Sequence, residues 1–424
     1  MEYTTEQLKF SDIGKNILLK YGIVYYAFEM RVGKTLTALR TAELIKAKNV
    51  LFVTKKSGIV GVNKMAVNFN YEYNLTVINY EMLHKYTKIK YDCIICDEIH
   101  TIGSFPKPSI TAKILKNIVG SKNLILLSGT PTAESYSRIY HQLWISEKSP
   151  YNKYKNFYGF AREYITPHDI KVNGDMRTLY DRCSSRAIDD ISHLMVTLSR
   201  AETGRFAYNN TIETVQTVAC EPRLDRLINR LINRRVYQFR DGNLLTCDTM
   251  TKLKQCIHQI CSGTIKVDNG SRKILDTSKL NYIVENYFGK YKIAIMYKYI
   301  AEGDLLRQTF KNNTKDSEEY NNSDDNTLVY ITQVSSRSMG VDISAADMLI
   351  MYNIDYSATL YFQAISRIIN MNSVKMPRVI WLFSDLQNGI ENKIYSTVKK
   401  KKPFTNYYFL RDYNITEHEY KKAS

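Results

Sequence analysis

Three short clusters in this chain carry groups suited to phosphate chemistry. The first is Gly33-Lys34-Thr35. A glycine there lets backbone N–H groups face an oxyanion, a lysine reaches the β- and γ-phosphates, and a threonine hydroxyl helps to hold Mg2+. The second is Asp97-Glu98. One carboxylate can hold a divalent cation while its neighbour orients or deprotonates an attacking water. The third is Ser128-Gly129-Thr130-Pro131. Alone, Gly33-Lys34-Thr35 is a weak signal: Phe28 stands where a strict phosphate loop has its first glycine, and a helix N-terminus with a chance Lys-Thr reads the same way. With an acidic pair following in order on a later β–α unit, coincidence becomes a poor explanation.

Each cluster closes an apolar run that reads as a buried strand. Residues 22–28 precede the first, 92–96 the second and 123–127 the third; residues 49–54 and 75–80 supply two further runs. Helix-like stretches alternate with them, beginning with residues 4–19. The fold class predicted is α/β, a parallel sheet covered by helices on both faces. Functional groups then belong at the carboxyl ends of the strands, where Thr54-Lys55-Lys56-Ser57 also falls. A second series of strands is expected at 292–297, 328–332, 348–352 and 379–383. The domain boundaries expected are 1–140, a mainly helical insertion over 141–277, and 278–424. Residues 312–327, rich in Asn, Asp, Glu and Ser, read as a mobile surface loop.

The chain has 424 residues, with 59 Lys and Arg against 42 Asp and Glu, a net charge of +17 that suits a polyanionic partner. On a helix, Arg223, Arg226, Arg230 and Arg234 form one stripe and Leu224, Leu227, Ile228 and Leu231 another. Residues 149–162 interleave aromatics with bases, a mixture that either stacks on nucleobases or packs its rings on the core. The seven cysteines are scattered and suggest no disulfide framework. Cys93 and Cys96 point to opposite faces of their strand and cannot share a metal. Cys256, His258 and Cys261 lack a fourth ligand nearby. No apolar stretch is long enough for a membrane span and the start has no signal design, so no membrane partner is expected, and an intracellular, monomeric protein is. A composition heavy in Asn, Lys, Ile and Tyr suggests an AT-rich genome, a phage or other virus, and hence the host cytoplasm.

In this order the clusters resemble the motifs of superfamily-2 helicases and translocases, particularly the Swi/Snf-like branch and related phage recombination helicases. Ala27-Phe28-Glu29-Met30-Arg31-Val32-Gly33-Lys34-Thr35 is similar to motif I, Asp97-Glu98-Ile99-His100 to the DExH motif II, and Ser128-Gly129-Thr130-Pro131 to motif III. Ser335-Ser336-Arg337-Ser338-Met339-Gly340-Val341-Asp342 and Gln363-Ala364-Ile365-Ser366-Arg367 resemble motifs V and VI. Tyr80-Glu81 resembles a DNA-contacting motif, Gln7 an adenine-reading glutamine, and residues 389–395 the helix that follows motif VI.

The resemblance implies two RecA-like lobes with ATP and Mg2+ in the cleft between them. Gln7, Arg31, Gly33, Lys34, Thr35, Gly340 and Asp342 would bind the nucleotide, with Thr35 and Asp97 on Mg2+. The catalytic set implied is Lys34, Asp97, Glu98, Gln363 and Arg367, with Ser128 and Thr130 coupling hydrolysis to movement. Nucleic acid is expected at Thr54, Lys55, Lys56, Tyr80, Ser336 and Arg337 and along the arginine stripe. The function implied is an ATP-dependent DNA helicase or translocase acting on forks, junctions or duplexes in viral replication, recombination or repair. An RNA helicase and a catalytically weak nucleic-acid-binding protein are the alternatives. Two departures stand out: Arg31 replaces a usual glycine, and Asn370 stands where motif VI carries its second arginine. The arginine finger is therefore assigned to Arg367, with Arg378 as the alternative.

Overall fold

The computed structural model describes residues 2–132, 134–172, 175–206, 211–334, 341–369 and 376–400. The chain divides into two compact units, 1–205 and 206–424.

In the first unit, helix α1 (Thr5–Tyr21) leads into strand β1 (Ile23–Phe28). A capping box starts α1: Thr4 accepts from the Gln7 N–H, and the Thr4 N–H donates to Gln7 Oε1 at 2.9 Å. After β1 come α2 (Lys34–Leu44), β2 (Asn49–Thr54), α3 (Ile59–Phe69), β3 (Asn74–Asn79), β4 (Cys93–Asp97), α4 (Ile110–Val119) and β5 (Asn123–Leu127). Helices α5 (Ile139–Trp144) and α6 (Phe157–Tyr164) follow, then a hairpin of β6 (His168–Val172) and β7 (Asp175–Leu179), then β8 (Met195–Leu198). The sheet is wholly parallel, in the order β3-β2-β4-β5-β1-β8. Its central strands are buried on both faces, which is why they read as unbroken apolar runs. Cys93 and Cys96 lie fully buried within them.

The second unit repeats the architecture. Its strands are β9 (Ile212–Val218), β10 (Val236–Gln238), β11 (Leu244–Thr246), β12 (Thr264–Lys266), β13 (Arg272–Ile274), β14 (Ile293–Tyr297), β15 (Asn313–Thr314), β16 (Val329–Gln333), β17 (Met348–Met351) and β18 (Arg378–Ser384). Six of them form a parallel sheet, β15-β16-β14-β17-β18-β9, and the remaining four make two hairpins, β10–β11 and β12–β13. Each unit is thus a RecA-like parallel sheet flanked by helices. A buried ion pair, Lys279 with Glu391, joins the helices Ser278–Asn286 and Glu391–Lys399 inside the second unit. No helix among the described residues is long and apolar enough to cross a membrane.

Two expectations need correction. The stretch 141–277 is not a separate helical insertion: the units part between Arg205 and Phe206, β8 closes one edge of the first sheet, and β9 closes one edge of the second. Edge strands are half exposed, so their mixed composition hid them. The segment 312–327 is not a bare loop either. Asp316 caps the helix Ser317–Asn322 by accepting the Glu318 and Glu319 N–H groups, and Tyr320 anchors it in the core.

Candidate functional site

The strand order puts three sequence clusters side by side. β4, β5 and β1 are consecutive neighbours, all parallel, so Asp97-Glu98, Ser128-Gly129-Thr130 and Gly33-Lys34-Thr35 follow the same edge of one sheet. Loops at the carboxyl edge of such a sheet are where α/β folds place ligands.

The loop after β1 reaches α2 through Gly33, the N-cap, whose φ of 97° favours glycine. A Cβ at this position would lie 2.3 Å from Gln7 Nε2, so the loop closes directly onto that buried side chain. Gln7 is both the cap of α1 and the floor of the loop. Lys34 opens α2, and its ammonium donates to the carbonyls of Phe28 at 3.1 Å and Glu29 at 2.9 Å. Thr35 is the next residue of the same first turn. Arg31 holds a φ of 69°, the left-handed region that a side chain enters at a cost, which explains why a glycine is usual here. Gly129 permits a second close approach: a Cβ there would lie 3.0 Å from Met30 Cγ and 3.5 Å from Lys34 Nζ.

Asp97 ends β4 with its carboxylate engaged on both oxygens. The Thr54 hydroxyl donates to Oδ2 at 2.8 Å and the Glu98 N–H to Oδ1 at 3.0 Å. The Tyr80 hydroxyl donates to the Asp97 carbonyl at 2.6 Å. Burial, with Glu98 adding repulsion, pushes the Asp97 carboxyl up to about 6, while Thr54 and Lys34 pull it down. Glu98 sits at φ 52°, a second left-handed residue in the site. Strain of this kind persists only where surrounding contacts hold it.

His100 ties this acidic corner to the third cluster. Its Nδ1 lies 2.8 Å from Ser128 Oγ and 3.3 Å from Glu98 Oε2. Burial lowers its pKa to about 4, so the ring is neutral, and the acceptor-only carboxylate assigns the proton to Nδ1. Ser128 Oγ accepts in turn from the Thr130 N–H at 3.1 Å. Behind it the Tyr25 hydroxyl donates to Gln142 Oε1 at 2.6 Å, and Gln142 Nε2 donates to the Pro131 carbonyl at 2.9 Å. His100, Tyr25 and Gln142 were not among the residues expected from sequence. His100 was visible in the DExH pattern; the other two pair across 117 positions, with no local signal.

The nucleic-acid expectations divide. Thr54 is 1% exposed and its hydroxyl is spent on Asp97, so it is an internal brace rather than a nucleic-acid contact. Tyr80 is half-buried, and its hydroxyl donates to the carbonyl that ends β4. Lys56 is exposed and Lys55 partly so. The helix Arg223–Arg234 is amphipathic as expected, with Leu224, Leu227, Ile228 and Leu231 buried and Arg223, Arg226, Arg230 and Arg234 exposed. Arg223 is engaged by Glu221 and the Leu275 carbonyl, and Arg230 lies 5.3 Å over Tyr237.

In the second unit, Gln363 is buried within the helix Ala358–Ile365. Arg367 lies beyond that helix, in a turn where its N–H donates to the Ala364 carbonyl at 3.1 Å. The Arg367 carbonyl accepts the Ile343 N–H at 3.2 Å, which brings this turn beside Asp342. Arg378 opens β18 and is exposed. Ser336, Arg337, Gly340 and Asn370 lie outside the described residues. Residues Glu391–Lys399 form a helix, as the stretch 389–395 suggests.

The groups present fit a magnesium-bound nucleotide. Asp97 and Thr35 offer hard oxygen donors, and burial with the adjacent Glu98 charge raises the Asp97 carboxyl, a cost that a cation would relieve. Cys256, His258 and Cys261 do not form a metal cluster among the described residues, and His258 Nδ1 instead pairs with the Tyr299 hydroxyl at 3.0 Å.

No family model matches the chain. Over 373 residues, 78% of its length, it is 21% identical to the ISWI chromatin-remodeling complex ATPase ISW1 of Saccharomyces cerevisiae. The match spans about a third of that relative, 31% of its length. Among solved structures the chain is similar to the Sulfolobus solfataricus SWI2/SNF2 ATPase core in complex with dsDNA, at 15% identity and a TM-score of 0.41, over 94% of this chain and 91% of that one.

Proposed function

We propose that this protein is an ATP-dependent DNA translocase of the Swi/Snf-like type, coupling nucleotide hydrolysis to movement along or remodelling of DNA. The observation that carries the proposal is that Lys34, Asp97-Glu98 and Ser128 fall at or after the carboxyl ends of three adjacent parallel strands, with His100 bonded between the last two clusters. Lys34 neutralises phosphate charge; Asp97 with Thr35 holds Mg2+; Glu98 orients the attacking water. The His100–Ser128–Thr130 chain gives hydrolysis at Glu98 a bonded route into the third cluster, which supports the coupling role assigned to Ser128 and Thr130. From the second unit, Gln363 and Arg367 carry the polar and cationic groups that the sequence pattern assigns to the same reaction. The similarity to a chromatin-remodelling ATPase supports DNA as the substrate class, and the net charge of +17 supports a backbone-held polyanion. Forks and four-way junctions remain the finer form of the reading.

The test is ATP turnover with and without DNA. The parent chain should hydrolyse ATP faster with duplex present, and Lys34→Ala should abolish turnover while the fold persists. Near-normal turnover in that variant would remove the phosphate-loop assignment. An RNA-only stimulation would redirect the reading to an RNA helicase.

A further inference from the structure

The interleaved stretch 149–162 resolves into two faces. Tyr151, Phe157, Phe160 and Tyr164 are buried, packed edge-on or tilted among themselves and against Tyr140, which stacks on Tyr151. Lys153, Lys155 and Arg162 stand outside. They line an open surface recess of about 560 Å3 together with Tyr154, Gly159 and Glu163.

We infer that this recess is a second nucleic-acid contact of the first unit, which grips the phosphodiester backbone of DNA through Lys153, Lys155 and Arg162. The charge is unbalanced by construction. Glu163 is the one acid of the lining, and its carboxylate is already occupied: Oε2 accepts from the Tyr154 hydroxyl, and Oε1 from Arg186 at 3.0 Å with Lys153 at 3.7 Å. Those donors hold its carboxyl below the ordinary range, so it stays ionised and engaged. The side chains of Lys155 and Arg162 make no hydrogen bond or ion pair with another described residue. Their backbone is fixed nonetheless. The Asn156 side chain caps α6 by accepting the Gly159 N–H at 3.2 Å, and the ring cluster beneath locks the helix. An open recess rimmed by separate cations suits a polymer that presents phosphates in series, and such contacts position rather than specify.

The identity of the polyanion rests on the translocase reading; the anion site itself does not. The experiment is equilibrium binding of the full chain to a labelled duplex of arbitrary sequence across a salt series, for the parent and for Lys155→Ala/Arg162→Ala. Losing two phosphate contacts should reduce the slope of log affinity against log salt by about 1.8, and low-salt affinity by about tenfold or more. Lys155→Arg/Arg162→Lys should keep the parental slope, and equal thermal midpoints should show that the fold is intact. Parental affinity and slope in the alanine variant would overturn the inference. If the parent binds duplex without any ATP turnover and the alanine variant loses that binding, the translocase reading fails and the recess stands. If duplex stimulates parental turnover while the alanine variant binds as the parent does, the recess alone fails.

Discussion

Replacing Thr54 with valine probes the acidic corner with almost no change of shape. Thr54 is 1% exposed, and its hydroxyl gives Asp97 one of its two side-chain hydrogen bonds, at 2.8 Å. A hydrogen bond to a charged group contributes about 1.5–3 kcal/mol, and one pKa unit corresponds to about 1.4 kcal/mol, so even at the lower end of that range its loss raises the Asp97 carboxyl by about one unit. That carboxyl already titrates at about 6 because of burial and Glu98. Near pH 7 the ionised fraction should then fall from about nine-tenths to about one-half, whereas near pH 8.5 it stays almost complete in both proteins. The assay is DNA-stimulated ATP turnover against Mg2+ concentration at about pH 6.5 and about pH 8.5. The variant should need several-fold more Mg2+ at the lower pH and little more at the higher. Stability follows the same group. A carboxyl raised in the folded state holds its proton better there, so its favourable contribution is present at low pH and lost as pH rises from about 4 through about 6. In the variant that loss should extend upward. An equal deficit at both pH values would refute the electrostatic account, and a weakened grip on DNA with an unchanged Mg2+ profile would return Thr54 to the nucleic-acid surface.

Glu98→Gln keeps the volume and the left-handed backbone but loses the base, so nucleotide should still bind while turnover falls by about 10² or more; parallel loss of both would make Glu98 structural. Arg31→Gly should relieve about 1–2 kcal/mol of left-handed strain against about 0.5–1 kcal/mol of added chain entropy, giving a small rise in the thermal midpoint. An unchanged or lower midpoint would mean that contacts of the Arg31 side chain outweigh its backbone. Arg367→Ala should reduce turnover by about 10³ with nucleotide affinity largely kept, and Arg378→Ala should not. The reverse pattern would move the finger to Arg378.

The sheet centres were legible because each strand is buried on both faces and ends in a polar cluster, as in 123–127 running into Ser128-Gly129-Thr130. The edges were not. β8 and β9 are half-exposed strands whose residues satisfy no single period, and only pairing with β1 and β18 makes them strands at all. The segment 312–327 failed for a related reason: one buried tyrosine and one capping aspartate suffice to order it, and neither changes its polar composition. Among site residues, spacing found the ions but could not assign their partners. Thr54 ends β2 and Tyr80 follows β3, strands that precede β4 in sequence, and what their hydroxyls meet depends on the strand order.

That order also explains why hydrophobic burial and polar chemistry coexist at this edge. β4 is the third strand of six, so Asp97 ends a strand flanked on both sides, and neighbouring strands are obliged to bring groups toward it. β2 brings the Thr54 hydroxyl, and the residue after β3 brings Tyr80. Tyr80 serves the Asp97 main-chain carbonyl, while Thr54 and the Glu98 N–H serve its two carboxylate oxygens, which reduces but does not remove the cost of burying that carboxylate. On the other side, β5 presents Ser128 to His100, whose ring burial has driven to the neutral form. Burial thus pushes the acid and the histidine in opposite directions along the pH scale, and both toward lower charge. The corner therefore answers to whatever charge is brought to it. A bound cation would favour the ionised carboxylate, a rearranged Glu98 would alter the field at His100, and either change would pass to the Ser128–Thr130 loop through bonds already in place.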